Sequence, residues 1–130
     1  MTDKLVQRLT RVMIVDDDPA LCTCVVETFA EQGISVEVAL NAQQCLFYLR
    51  NGFSGIILMD ICMPVMNGWD TIRAIVREDL FHNIIILMVT AELEPDEKEA
   101  ELNGFIFDYI VKPFDSDTLI ETVVHYMLYL

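Results

Sequence analysis

Met59-Asp60-Ile61-Cys62-Met63-Pro64-Val65-Met66-Asn67-Gly68 places an aspartate directly behind the apolar run 56–59. A short apolar run of this kind fits a strand buried on both faces, and Pro64 with Asn67-Gly68 then marks a loop. Past Gly68, the spacing of Ile72, Ile75 and Val76 predicts a helix with those residues inward. The same alternation runs through the rest of the chain. Apolar runs at 12–15, 34–39, 84–89 and 106–111 predict four further strands. Asp18-Pro19 supplies an N-cap and a first helical residue, and the helix that follows carries Leu21, Val25, Thr28 and Phe29 on one face and ends at Gly33. Asn41 caps a helix bearing Cys45, Leu46 and Leu49, which stops at Asn51-Gly52. Residues 95–103 predict a fourth helix, and 115–130 a fifth with Leu119, Val123, Met127 and Leu130 on its inner stripe. Strand then helix, five times over, implies an α/β domain: a parallel sheet covered on both faces, with right-handed crossovers.

A chain of 130 residues, 54% hydrophobic with five glycines and four prolines, is long enough for one packed domain and too apolar for disorder. Residues 11–130 form that domain, and 1–10 read as an N-terminal extension, flexible or a short helix. No apolar run approaches the ~20 residues of a membrane span, and the polar start lacks the apolar core of a secretory signal, so a cytoplasmic protein is expected. The balance of 8 basic and 21 acidic residues gives a net charge of −13. Phosphate backbones and anionic lipids would repel such a chain, so no direct nucleic-acid or membrane partner is expected; a divalent cation suits it better. The cysteines at 22, 24, 45 and 62 have neither zinc nor disulfide spacing. Cys22 and Cys24 point to different sides of a helix, Cys45 packs as a small apolar residue, and all are read as reduced thiols.

In an open parallel sheet, ligands bind beyond the carboxyl ends of the strands. Those positions hold Asp16-Asp17-Asp18, Asp60, Thr90 and Lys112. Asp18 is accounted for as a helix cap. Asp16, Asp17 and Asp60, brought together, would repel unless a cation such as Mg²⁺, a hard ion that prefers carboxylate oxygens, neutralised them. Lys112 is one of only three lysines and lies between Val111 and Pro113 at the end of a buried strand, where it can serve as a point charge for Asp60 and a phosphoryl group. Thr90 can be an ordinary strand-end hydroxyl or a donor to a phosphoryl oxygen. An aspartyl-phosphate formed on Asp60 is chemistry that this set would support.

Four segments carry a resemblance over nearly the whole chain: Val15-Asp16-Asp17-Asp18-Pro19, the stretch from Met59 to Gly68, Val89-Thr90-Ala91, and Tyr109-Ile110-Val111-Lys112-Pro113-Phe114. Taken in order, they resemble the receiver domain of two-component response regulators. The resemblance implies a flavodoxin-like (βα)5 three-layer sandwich with strand order 2-1-3-4-5. It implies Asp60 as phosphoacceptor, with Asp16 and Asp17 as the acid pair for Mg²⁺. Asp17, Asp60 and the backbone carbonyl of Cys62 would be direct ligands. It also implies a cis peptide before Pro113, a switch made of Thr90 and Tyr109, and tuning of dephosphorylation from Cys62 and Glu92. The implied donors are a sensor histidine kinase, a histidine phosphotransfer protein or a small-molecule phosphate. The implied output, by protein contacts or phosphorelay, lies on the face of the fourth helix, fifth strand and fifth helix, where Leu128 and Tyr129 suggest a homodimer or partner contact.

One departure concerns residues 104–109, which are one residue longer than the family's usual gap and predict a fourth helix shortened by one. Within that helix only Ala100 and Leu102 are apolar anchors, which predicts low local stability. Two other readings compete. Asp16-Asp17-Asp18 also suits a haloacid-dehalogenase-like phosphohydrolase with Asp16 as nucleophile and Asp18 as acid/base, but Pro19 follows directly and there is no room for a cap domain. A silent interaction module is the other, though it would be expected to have lost an acidic or lysine position. His82 and His125 have no metal-ligand spacing.

Overall fold

A computed structural model describes residues 11–91 and 97–130. The expectations for the extension 1–10, for Glu92 and for a helix start at Pro95 lie outside the described residues. The elements run β1 (Val12–Val15), α1 (Pro19–Ala30), β2 (Val36–Ala39), α2 (Ala42–Arg50), β3 (Gly55–Asp60), α3 (Gly68–Arg77), β4 (Ile84–Thr90), a 3-10 helix (Glu97–Phe105), β5 (Ile106–Val111) and α4 (Ser116–Met127). All strand pairs are parallel, in the order β2-β1-β3-β4-β5, the flavodoxin-like order that the sequence implied.

Every residue of β1, β3 and β4 is buried, as expected for central strands covered on both faces. Alternating side chains divide into two cores. Met13, Val15, Ile57 and Met59 pack with Leu46, Leu49, Ile72 and Ile75 on one face of the sheet. Val12, Ile14, Ile56 and Leu58 pack with Val25, Phe29, Leu119 and Val123 on the other. Two helix starts follow the sequence signals, the carboxylate of Asp18 accepting from the Ala20 and Leu21 amides and Asn41 from Gln44; Asp115, expected as the first residue of the last helix, caps it instead by accepting from the Thr118 amide. On α3, Asn67 and Asp70 form a reciprocal capping box.

Several expectations need correction. The inner stripe of α1 is Cys22, Val25 and Phe29, with Leu21 and Thr28 only half-buried at its margin. Ile34 is buried but precedes β2, because its amide donates to Phe29 to close the turn at Gly33, whose φ is 73°. Val76 is exposed, since the buried stripe of α3 passes through Trp69, Ile72 and Ile75. Leu130 is 50% exposed because α4 ends at Met127 and the residues beyond leave its helical phase.

The fourth helix is 3-10 rather than α over Glu97–Phe105. One residue is taken up in β5; the expected shortening of the helix depends on where that helix starts, which lies outside the described residues. Ile86 pairs with Ile106, but the next strand residue, Leu87, pairs with Asp108, so Phe107 is passed over as a bulge. A nine-residue 3-10 helix is long for its type and has poorer hydrogen-bond geometry than an α-helix. Its amides are therefore expected to exchange with deuterium faster than those of α1 to α4. Protection equal to that of α3 would show the segment to be as stable as the rest.

Candidate functional site

Register builds the site. Val15 pairs with Met59, so the residues that follow them, Asp16 and Asp60, emerge side by side from neighbouring strands. Asp60 in turn pairs with Val89, and Thr90 with Val111, which sets Thr90 and Lys112 at the same carboxyl edge. The Lys112 amide donates to the Thr90 carbonyl at 2.7 Å, which ties these two backbones together. The peptide between Lys112 and Pro113 is cis.

The Lys112 ammonium donates to Asp16 Oδ2 at 3.1 Å and to Asp60 Oδ1 at 3.5 Å, bridging residues far apart in sequence. Asp16 and Asp60 are both buried, while Asp17 is exposed. Asp16 Oδ1 accepts from the Asp18 amide at 2.9 Å, so backbone and lysine together orient that carboxylate. Asp60 Oδ1 also accepts from the Cys62 amide at 3.3 Å. Oxygens of Asp16, Asp17 and Asp60 lie within 4.8 Å of one another.

Burial raises the Asp60 carboxyl above its ordinary pKa and the neighbouring Asp16 charge adds to the effect, against the lowering by Lys112 and the Cys62 amide. Burial works against the Lys112 ammonium too, but the hydrogen bond to Asp16 and the charges of Asp60 and Asp16 outweigh it, and its pKa rises. Among the described residues, one ammonium beside three carboxylates leaves the cluster negative. A hard divalent cation fits that donor set, because every side-chain ligand offered is a carboxylate oxygen.

The loop from β3 to α3 closes tightly on Asp60. The Gly68 amide donates to the Ile61 carbonyl at 2.9 Å, and a Cβ at Gly68 would stand 2.5 Å from the Asp60 carbonyl oxygen. Only glycine allows that approach. The sequence marked Gly68 as a loop end and missed this role; its position directly behind an Asn cap was the available signal. Also unforeseen was Cys22, whose thiol donates to the Asp16 carbonyl at 3.4 Å and is pushed up to about 11 by burial and the Asp16 charge. It is a packing residue rather than a nucleophile. Cys45 is pushed up to about 12 by burial, while Cys24 and Cys62 are exposed free thiols.

Tyr109 is half-buried beside the core, and its hydroxyl donates to Asn103 Oδ1 at 3.0 Å. Thr90 is buried at the edge of the site. Thus Asp16, Asp17, Asp60, Thr90 and Lys112 gather at one edge, with Cys62 adjoining through its amide, while Tyr109 stands two residues before the end of β5. His82 pairs with Asp79, and His125 is exposed beside Tyr126 and Tyr129; neither reaches this edge.

Comparison with known proteins agrees with this geometry. Residues 12–124 match the family described as the response regulator receiver domain. A CheY-like receiver domain protein from Methanospirillum hungatei is 43% identical, with a TM-score of 0.88 over 92% of this chain and 95% of its own. The chemotaxis protein CheY4 of Vibrio cholerae is 30% identical, with a TM-score of 0.79 over 89% of this chain and 97% of its own. The transcriptional regulatory protein DltR of Streptococcus agalactiae is 28% identical over 87% of this chain, which spans only 50% of that protein's length.

The raised Asp60 carboxyl has a consequence for stability. Stability from a carboxyl whose folded pKa is raised is complete below its unfolded value, about 3.9, and is lost as pH rises through the folded value. At about pH 7, without divalent metal, charged Asp60 therefore works against folding, and Asp60→Asn is expected to raise the thermal midpoint. The gain should shrink as the pH falls toward about 4 and wild-type Asp60 takes up its proton. Thermal unfolding followed across that range checks the sign, and a lower midpoint for the variant at neutral pH would contradict it.

Proposed function

The chain belongs to the response regulator receiver domain family, and we propose that Asp60 accepts a phosphoryl group in it and thereby switches the binding of a partner protein. The observation that carries this reading is the Lys112 ammonium held between Asp16 and Asp60 at the edge of the sheet. A carboxylate oxygen of Asp60 attacks phosphorus on a phosphohistidine or a small-molecule phosphate. A phosphorus–oxygen bond forms, and the bond to the leaving group breaks with its electron pair going to that group. Lys112 then supports a phosphoryl oxygen electrostatically, and the Thr90 hydroxyl donates to another.

Mg²⁺ suits the acidic cluster. Asp17, Asp60 and the Cys62 carbonyl would be its direct ligands, with Asp16 completing the acid pair behind them, and the ion would offset charge on the carboxylates and the transferred group. Once Asp60 carries the phosphoryl group, Thr90 is drawn toward it and the Tyr109 ring, bonded through its hydroxyl to Asn103, turns inward. The face of the 3-10 helix, β5 and α4 changes with it. Phe107, Leu128 and Tyr129 are exposed on that face, at 47%, 61% and 64%, and offer apolar contacts to a second copy or a downstream protein. The donors proposed are a sensor histidine kinase or a histidine phosphotransfer protein, acting in the cytoplasm. Among the described residues no helix is long and apolar enough to cross a membrane. The phosphohydrolase reading fares worse: Asp18, its required acid/base, caps α1 through Oδ1.

Intact-mass measurement after incubation with acetyl phosphate and Mg²⁺ tests the reading. One phosphoryl adduct per chain is expected, absent without Mg²⁺ and absent in Asp60→Asn. Lys112→Ala is expected to slow adduct formation by about tenfold or more, the loss of at least one charged contact to the transferred group. A wild-type protein that is folded, binds Mg²⁺ and takes no phosphoryl group would point to a silent interaction module instead.

A further inference from the structure

Val65 stands in the left-handed region of backbone space, with φ at 67°, and its side chain is completely exposed, at 107%. Both γ carbons of a β-branched residue crowd its own backbone there, so the conformation favours glycine or asparagine. The turn is tight: the Met66 amide donates to the Pro64 carbonyl at 2.7 Å, closing a three-residue γ-turn centred on Val65. With positive φ at its centre, this is the rare and strained form. The other described non-glycine residues with positive φ are Asp79 and Asn83, types that tolerate it better. An isopropyl group standing in water offsets none of this by burial. A strained residue that the fold does not reward points to a role outside the fold.

The loop that carries Val65 is held at fixed points. Met63 is buried at 6% and Met66 packs against the same core. Gly68 closes the loop onto the Ile61 carbonyl and the backbone of Asp60. Val65 is three residues from both Cys62 and Gly68, so it stays within about 10 Å of that closure. A protein that brings a phosphoryl group to Asp60 must lay its surface over this rim, whereas a small phosphate need not.

We propose that Val65 is a specificity contact for the protein phosphodonor: its fixed, exposed isopropyl group seats in an apolar depression beside the donor's phosphohistidine. The inference rests on Asp60 being the phosphoacceptor. It assigns to a particular side chain the choice among donors, which the chemistry at Asp60 cannot make because every donor presents the same phosphoryl group.

The test compares wild type, Val65→Asn and Val65→Leu in two assays. One uses acetyl phosphate with Mg²⁺, and the other a panel of phosphorylated sensor-kinase and histidine phosphotransfer domains. Val65→Asn is expected to have a higher thermal midpoint and to stay within about twofold of wild type with acetyl phosphate. With the protein donor that serves wild type fastest, it is expected to lose about fivefold or more in kcat/KM, while Val65→Leu, which keeps an apolar group, stays within about threefold. An undiminished Val65→Asn with that donor overturns the proposal. So does an equal loss with acetyl phosphate, which would mean that Val65 shapes the site itself. A panel in which no protein donor outruns acetyl phosphate on wild type also overturns it. Wild type that accepts phosphoryl groups from neither source overturns the phosphoacceptor reading, and this inference with it.

Discussion

Asp16 and Asp60 are buried carboxylates side by side, and the ammonium of Lys112 reaches both. Most of the local architecture follows from keeping that arrangement tolerable. A carboxylate out of water needs an opposite charge or hydrogen-bond donors. Lys112 provides the charge, and the amides of Asp18 and Cys62 provide the donors. The lysine comes from the last strand and the carboxylates from the first and third, so the pairing exists only when the sheet is assembled in full. The cluster remains negative even so, and that residual charge suits the edge to a hard cation.

The surrounding elements serve this edge in different ways. The cap of α1 at Asp18 turns the chain away from the sheet directly after Asp16 and Asp17. Gly68 lets the chain return against Asp60 and start α3 there. The Thr90 carbonyl holds the backbone of Lys112. Each is a short, local device, and together they place groups from four separate segments at one rim. By contrast, the 3-10 helix and the bulge at Phe107 lie to the side of this edge.

Much of this was legible before any coordinates. The strand-helix alternation follows from apolar periodicity, and four of the five strand ends named Asp16, Asp17, Asp60, Thr90 and Lys112 as candidates together. Legibility failed where tertiary packing competes with local pattern. Val76 is apolar yet exposed because the buried stripe of α3 runs through Trp69, Ile72 and Ile75, and Leu130 is exposed because α4 ends at Met127 before reaching it. The extra residue in 104–109 was visible, but its destination was not. Only the pairing of β5 with β4 shows a bulge at Phe107, because that pairing joins strands whose register no local pattern fixes. The strain at Val65 was equally hidden, since nothing in the valine itself forecasts a positive φ.

The sequence by itself determined the order of elements, the buried strands, the caps at Asp18 and Asn41, and the residue types at each strand end, because these depend on neighbours a few positions away. Tertiary structure alone decided that Lys112 is shared between Asp16 and Asp60, that Gly68 abuts the Asp60 backbone, and that β5 bulges at Phe107. Gly68 meets Asp60 because the loop folds back onto the end of β3, whereas the shared lysine and the bulge depend on register between separate strands, where a shift of one residue in a parallel pair would carry each side chain to the opposite face of the sheet.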